Sequence, residues 1–186
     1  MSMKSLRWIM VKTSMLIVGA IPIIVAIFFA VSLITQQEVP LTAVLPGDKI
    51  TIEYTKHQLK IFSFGVTERA GSQFTEILTV NDDGEIKYVV VEDGYPKPDK
   101  KSIIDPEKLI QLTALIKETG FMEIPTESYP VRENVTDYQK SIIKVTLNGQ
   151  THQISWVEQN ATDKFIPPII TMVELELDQI INQLIE

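Results

Sequence analysis

SIIKVTLNGQTHQISW, residues 141–156, is the clearest structural signal in the chain, and it predicts a β-hairpin. Apolar and polar side chains alternate on both sides of Asn148-Gly149, the dipeptide best suited to the two positive φ angles of a type I′ turn. We therefore expect Ser141–Leu147 and Gln150–Trp156 to pair as antiparallel strands.

Similar patterns lie upstream of this hairpin. Phe74–Val80 and Glu85–Val91 flank the turn-forming sequence Asn81-Asp82-Asp83-Gly84 and predict another hairpin. Before them, Lys49–Lys56 alternates apolar and polar residues and predicts the first strand. His57–Phe64 either extends that strand or forms the next edge.

Each hairpin is followed by a predicted helix. The first has Asp105 as N-cap, Pro106 as first residue and Gly120 as terminator, and its buried side carries Leu109, Leu112, Leu115 and Ile116. The second starts at about Pro167 or Pro168 and runs to the C-terminus, with a buried stripe of Ile170, Val173, Leu177, Ile180, Ile181 and Leu184. The order strand, hairpin, helix, hairpin, helix predicts an α+β fold, an antiparallel sheet with two helices on one face.

An uncharged run of twenty residues, Met15–Ile34, precedes these elements. As a helix it would span roughly 30 Å, the thickness of the hydrocarbon core of a bilayer, and it predicts a single transmembrane helix. Three bases precede the run, namely Lys4, Arg7 and Lys12, so the positive-inside rule predicts a cytoplasmic N-terminus at residues 1–14. A linker, residues 35–46, then leads to an extracytoplasmic domain, residues 47–186.

A cleaved secretory signal is the alternative to a membrane anchor, because Ala30-Val31-Ser32 has the spacing of small residues that a signal peptidase accepts. Typical apolar regions of signal peptides are shorter than this run, which favours the anchor. Both interpretations place the domain outside the cytoplasm, at the cell membrane or beyond it.

One side of the predicted membrane helix is low in side-chain bulk. Gly19, Ala26 and Ala30 recur at near-helical spacing, so another membrane helix could approach closely there. Ordinary use of small residues in membrane helices explains the same pattern. The expected partners are therefore the lipid bilayer and other integral-membrane subunits.

The charge balance argues against nucleic acid as a partner. All 24 acidic residues follow Gln37, whereas three of the 17 bases precede the apolar run, which leaves 14 bases and a formal charge of −10 for the rest of the chain. Phosphate groups are repelled by such a surface. Cysteine is absent, which excludes disulfides, thiolate metal sites and thiol nucleophiles.

No sequence motif indicates catalysis, a cofactor or a metal site. His57 and His152 are the only histidines, and the position of His152 on a strand with Ile154 and Trp156 favours a packed or half-exposed strand residue. The sequence Asn81–Glu85 faintly resembles a calcium loop, but a tight turn explains each of its residues. The expectation is a protein that is not an enzyme.

Two long irregular connections are candidate partner-binding loops, because long loops in a compact domain are uncommon unless they are functional or disordered. The first, residues 94–101, carries Lys97, Lys100 and Lys101, and the second, residues 125–138, carries Tyr129, Arg132 and Tyr138. A solvated linker is the alternative for both. Asn134-Val135-Thr136 and Asn160-Ala161-Thr162 are possible glycosylation sequons at Asn134 and Asn160, with chance occurrence as the alternative.

LIQLTALIKETGFMEI at residues 109–124, together with VTLNGQTHQISW at 145–156, resembles a group of uncharacterised exported domains of archaea and bacteria. The resemblance implies the same hairpins and a helix ending in Gly-Phe. Many of those domains carry Cys-Phe-Gly-x-Cys-Pro where this chain has only Phe64-Gly65, so a role of the cysteines does not transfer. The anchor plus acidic domain also resembles single-span accessory subunits of archaeal ammonia monooxygenase.

These features predict a non-catalytic accessory or scaffolding subunit of a larger membrane protein complex. The alternative is a tethered extracytoplasmic binding module for a small ligand, a peptide or a component of the cell envelope. A third class, an anchored hydrolase, requires a concave site with converging carboxylates and at least one perturbed pKa.

Overall fold

The computed structural model describes residues 43–65 and 67–185, and all of them lie in one compact unit, Val39–Glu186. This described part contains seven strands and two α-helices: β1 (Ile50–Phe64), β2 (Thr67–Val80), β3 (Glu85–Glu92), β4 (Tyr95–Pro96), β5 (Lys100–Ile103), α1 (Pro106–Glu118), β6 (Asp137–Leu147), β7 (Gln150–Val157) and α2 (Pro168–Ile185). Short 3-10 helices lie at Phe121–Glu123 and Gln159–Ala161. The predicted α+β class with an antiparallel sheet is confirmed.

The strands form one sheet in the order β4-β3-β2-β1-β6-β7, with β5 also paired to β3. β1 lies in the middle, where Ile52 pairs with Val80 of β2 on one side and with Val145 of β6 on the other. All of the pairings are antiparallel. β7 is therefore an edge strand, and the opposite edge of the sheet is formed by β4 and β5.

The two faces of the sheet differ because successive side chains of a strand point to opposite sides. On one face the fully buried residues of the strands, among them Ile52, Tyr54, Leu78, Ile143 and Ile154, pack against the apolar sides of both helices. The other face carries Glu53, His57, Lys140 and Lys144, all of which are partly or fully exposed. The helices thus cover one face, as the sequence predicts, and we call the opposite one the outer face.

The ends of α1 follow the predicted signals. The side chain of Asp105 accepts a hydrogen bond from the backbone N–H of Glu107 at 2.9 Å, Pro106 is the first residue, and Gly120 adopts a φ of +68° after the last turn. Phe121 then turns back into the core and is fully buried. α2 begins at Pro168, and the five innermost residues of its predicted stripe are buried.

Three parts of the chain differ from the prediction. β6 begins at Asp137 instead of Ser141, so Tyr138, predicted to lie in the irregular connection 125–138, is a strand residue. β1 continues to Phe64 and returns through Gly65, which has a φ of +69°, so β1 and β2 form a hairpin that the sequence does not announce. Residues 94–101, predicted to be irregular, contribute β4 and the start of β5 instead. The open edge of β3 explains both short strands, because it offers backbone partners that a local sequence pattern does not reveal.

Candidate functional site

A groove of about 470 Å³ lies between β7 and the loop that connects α1 to β6, and we call it the β7 groove. Its lining consists of Thr126, Glu127, Ser128, Tyr129, Pro130, Val131, Tyr138, Lys140, Ser155, Trp156 and Val157. Lys140 pairs with Val157 across β6 and β7, and strand alternation puts Tyr138 and Ser155 on that same face. The groove therefore opens on the outer face of the sheet.

The loop wall of the groove is fixed by contacts with the segment that follows β7. The backbone N–H of Arg132 donates to the carbonyl oxygen of Ala161 at 2.8 Å. Lys164 donates to the Glu127 carboxylate at 3.4 Å, and its ammonium lies 5.9 Å from the centroid of the Tyr129 ring. These contacts join the loop wall to that segment at two points.

Of the residues predicted to bind a partner, the structure brings Tyr129 and Tyr138 together in the groove. Their side chains are only 9% and 7% exposed, so they form its floor and wall rather than a projecting surface. Arg132 is exposed and makes an ion pair with Asp163 at 3.7 Å.

The three lysines predicted as partner contacts lie at the other edge of the sheet. Lys97 pairs with Glu92, Lys101 pairs with Glu85 at 3.6 Å, and the ammonium of Lys100 donates to the carbonyl oxygen of Leu184 at 3.1 Å. These lysines belong to a different surface from the two tyrosines.

The edge of β7 presents backbone groups to the groove. Beyond the strand, the N–H of Glu158 donates to the carbonyl oxygen of Gln139 at 3.0 Å, so the even-numbered residues of β7 bond to β6. Gln153, Ser155 and Val157 are odd-numbered and direct their backbone N–H and C=O groups away from β6. Val157 is only 3% exposed, so the accessible groups are those of Gln153 and Ser155. Within residues 43–65 and 67–185, no backbone hydrogen bond satisfies these outward groups.

Lys140 supplies a positive charge in the groove. Its side chain is half-buried, and none of the ion pairs within the described residues involves it. Burial, and secondarily the charge of Lys140, lowers the pKa of its strand neighbour His57, whose Nδ1 lies 2.9 Å from Thr75 Oγ1. The groove thus combines unpaired backbone groups with an unneutralised ammonium.

A second concavity of about 340 Å³, which we call the polar cleft, lies on the helix side of the sheet. Its lining consists of Gln139, Ser141, Trp156, Glu158, Gln159, Ile166, Thr171 and Glu174. Glu174 accepts hydrogen bonds from Ser141 Oγ at 3.0 Å and from the Tyr54 hydroxyl at 3.1 Å. Both hydroxyl protons are directed to the carboxylate, so the cleft offers a ligand mainly acceptor oxygens.

A network of charges continues from the polar cleft beneath α2. The Lys56 ammonium lies 2.8 Å from Asp178 Oδ1 and 3.8 Å from Glu76 Oε2, and Tyr88 donates to Glu76. Burial raises the pKa of the Glu174 carboxyl, and burial together with nearby carboxylates raises the pKa of Tyr54. Glu158 and Glu174 both line the polar cleft, and the Glu158 carboxylate accepts a hydrogen bond from the backbone N–H of Gln139 at 3.1 Å.

The remaining predicted sites are placed as follows. His152 is half-buried and its ring meets that of Phe121 edge-on at 6.2 Å between centroids, while Asn81–Glu85 forms the turn before β3. Among residues 43–65 and 67–185, no group of three or more His, Asp or Glu side chains could hold a metal ion. Asn134 and Asn160 are both exposed.

The predicted membrane segment, including Gly19, Ala26 and Ala30, lies outside the described residues. Among the residues that are described, no helix combines the length and the apolar character needed to cross a membrane. Comparison with known proteins adds no relative, since neither a family model nor a curated protein matches the chain.

Proposed function

We propose that this chain is a non-catalytic accessory subunit, anchored in a membrane by residues 15–34, whose extracytoplasmic domain holds part of a partner protein in the β7 groove. The observation that carries the proposal is the groove itself, where a fixed loop faces a strand edge with free backbone groups. Two tyrosines and a lysine complete its lining. Tyrosine is enriched at protein interfaces because a rigid ring supplies large contact area at low entropic cost.

The assembly is tested by gentle detergent extraction of the native membrane, native gel separation and mass spectrometry of the proteins that migrate with this chain. We expect stable co-migration with integral-membrane subunits. The identity of those subunits also tests the ammonia monooxygenase context, which rests on resemblance alone. Migration of this chain alone would contradict the proposal.

The contributions of the helix and the domain are separated by variants. Ala26→Leu with Ala30→Leu adds bulk to the predicted helix surface, whereas Tyr129→Ala removes a wall of the β7 groove. We expect either change to weaken co-migration. Phe165→Ala is the control, because Phe165 is a large exposed side chain that does not line the groove.

The second candidate is a tethered binding module that takes a small ligand in the polar cleft. The specific observation in its favour is Glu174, a partly buried carboxylate on the side of α2 that faces the sheet. Burying a charge at this position costs stability that an apolar residue would not cost. It predicts that the full-length chain in detergent is stabilised against heat by primary amines and that Glu174→Gln abolishes this effect. Equal stabilisation of both proteins by every amine would exclude the cleft as the site.

A further inference from the structure

We propose that the β7 groove receives an extended segment of the partner as an additional β-strand on β7, with an acidic side chain of that segment against Lys140. This inference rests on the proposed function and specifies the chemistry of the partner. The occupant is thus an extended acidic peptide.

The backbone of β7 supports strand addition. Gln153 and Ser155 each direct one N–H and one C=O away from β6 and are at least partly exposed, so an extended chain laid along this edge could satisfy all four groups. Val157, at 3% exposed, is already covered. Unpaired groups of this kind are the template that partners use in β-strand addition. The loop wall at Thr126–Val131 forms the other side of the groove, at the C-terminal end of β7.

The side chains of the groove select the character of the added strand. Alternate residues of the added strand would point to the outer face, where Tyr138 and Lys140 lie. The acidic residue that lines the groove is Glu127, and its carboxylate is paired with Lys164. It therefore does not neutralise the charge of Lys140. An acidic side chain would neutralise Lys140, whereas a basic one would be repelled by it.

The test uses the full-length chain in detergent micelles and a phage-displayed library of random linear dodecapeptides. We expect selected peptides to carry Asp or Glu at one fixed position and to protect the amides of Gln153 and Ser155 from hydrogen exchange. Lys140→Gln should remove the acidic preference and weaken binding of a selected peptide about tenfold, the effect of one lost charge-assisted hydrogen bond.

The backbone contribution is tested with a pair of proline variants. Ser155→Pro removes an outward N–H that the fold does not use, and we expect it to weaken binding of the selected peptide about tenfold. Thr151→Pro is the matched control, because it removes an equivalent outward N–H near the Asn148-Gly149 turn, outside the groove. It should leave binding within about twofold.

Three outcomes would overturn the proposal: no peptide is enriched, selected peptides bind Ser155→Pro as tightly as the wild type, or only a second copy of this chain occupies the edge. The last appears as a dimer that Ser155→Pro dissociates. If native co-migration persists while peptide selection fails, the accessory function stands and strand addition does not. Loss of both would remove the proposed function as well.

Discussion

Glu174 shows how the environment of one carboxyl alters the pH dependence of stability. Burial raises its pKa above the ordinary 4.5, so the folded state holds the proton more tightly than the unfolded chain does. Ionisation of Glu174 therefore costs stability, and this cost is absent well below pH 4.5 and complete once the pH exceeds the raised pKa.

Glu174→Gln removes this titration while its amide oxygen can still accept from Ser141 and Tyr54. We expect the variant to gain stability relative to the wild type as the pH rises from about 4 to about 7, measured by urea unfolding. Glu133→Gln, at an exposed position, is the control. Parallel pH profiles for the wild type and Glu174→Gln would contradict the prediction.

Asp48 shows the opposite behaviour. Its carboxylate accepts from Lys117 at 2.6 Å, from the Asn148 amide at 2.8 Å and from the backbone N–H of Leu45 at 2.8 Å. The hydrogen bond from Lys117, followed by those from Asn148 and Leu45, lowers the pKa of Asp48 from 3.8 to about 2. Its stabilisation is therefore present above pH 3.8 and is lost as the pH falls towards 2.

Asp48→Ala should lower the free energy of unfolding by about 1 to 2 kcal/mol at neutral pH, because solvent screening reduces the full effect of the pKa shift. The difference should shrink below pH 3.8 in an acid series of urea unfolding curves. Asp82→Ala is the control, since its ion pair with Lys49 spans 4.0 Å at the surface. Equal losses in the two variants would show that the Asp48 contacts add nothing.

At the scale of single elements, the hairpin of β6 and β7 depends on backbone angles that only certain residues adopt easily. Asn148 has a φ of +51° and Gly149 a φ of +83°. Gly149→Ala should cost about 1 to 2 kcal/mol of unfolding free energy, the penalty for a side chain in the left-handed region. Gly47→Ala is the matched control, because an added methyl at residue 47 meets no atom within 4 Å. Urea midpoints of both variants measure the difference.

The same element shows what a sequence can and cannot predict. Asn148-Gly149, the cap at Asp105 and the αL residue Gly120 are local signals, and the structure follows each of them. The turn at Gly65 has no comparable signal, because apolar Phe64 and Val66 flank the glycine. β4 and β5 were unpredictable for another reason, since they form only beside the open edge of β3.

The candidate site was harder to predict than the fold. Tyr129 and Tyr138 were predicted as candidate partner contacts because the connection at residues 125–138 is long; both line one groove, although Tyr138 lies on β6. Ser155 lies on a predicted strand, whereas Lys140 directly precedes the predicted strand Ser141–Leu147, and both look like ordinary solvent-facing residues in the sequence. Strand order makes β7 an edge, and the lack of an ion pair at Lys140 within the described residues makes that lysine distinctive, and both are tertiary facts.

At the scale of the whole molecule, we expect local stability to vary along β1, from its well-paired start to its end near Phe64. β6 pairs with β1 as far as Lys60, and the backbone N–H of Ile61 still donates to the carbonyl oxygen of Thr136, so beyond Ile61 the strand paired with β1 among the described residues is β2 alone. We expect amide hydrogens near Arg69 to exchange by local opening, orders of magnitude faster than those at Ile52 and Tyr54. Uniform protection along β1 in a native-state exchange experiment would contradict this view.

The central position of β1 also affects how the domain folds during synthesis. β1 and β2 leave the ribosome early, but one edge of β1 stays without its neighbour until Val145 and the rest of β6 have been synthesised. At about 5 to 20 residues per second, this interval lasts several seconds. During this interval, Ile52 and Tyr54 lie on a strand whose free edge could pair with a strand of another nascent chain. The free edge of β1 is therefore open to wrong pairing for the time that β6 takes to be synthesised.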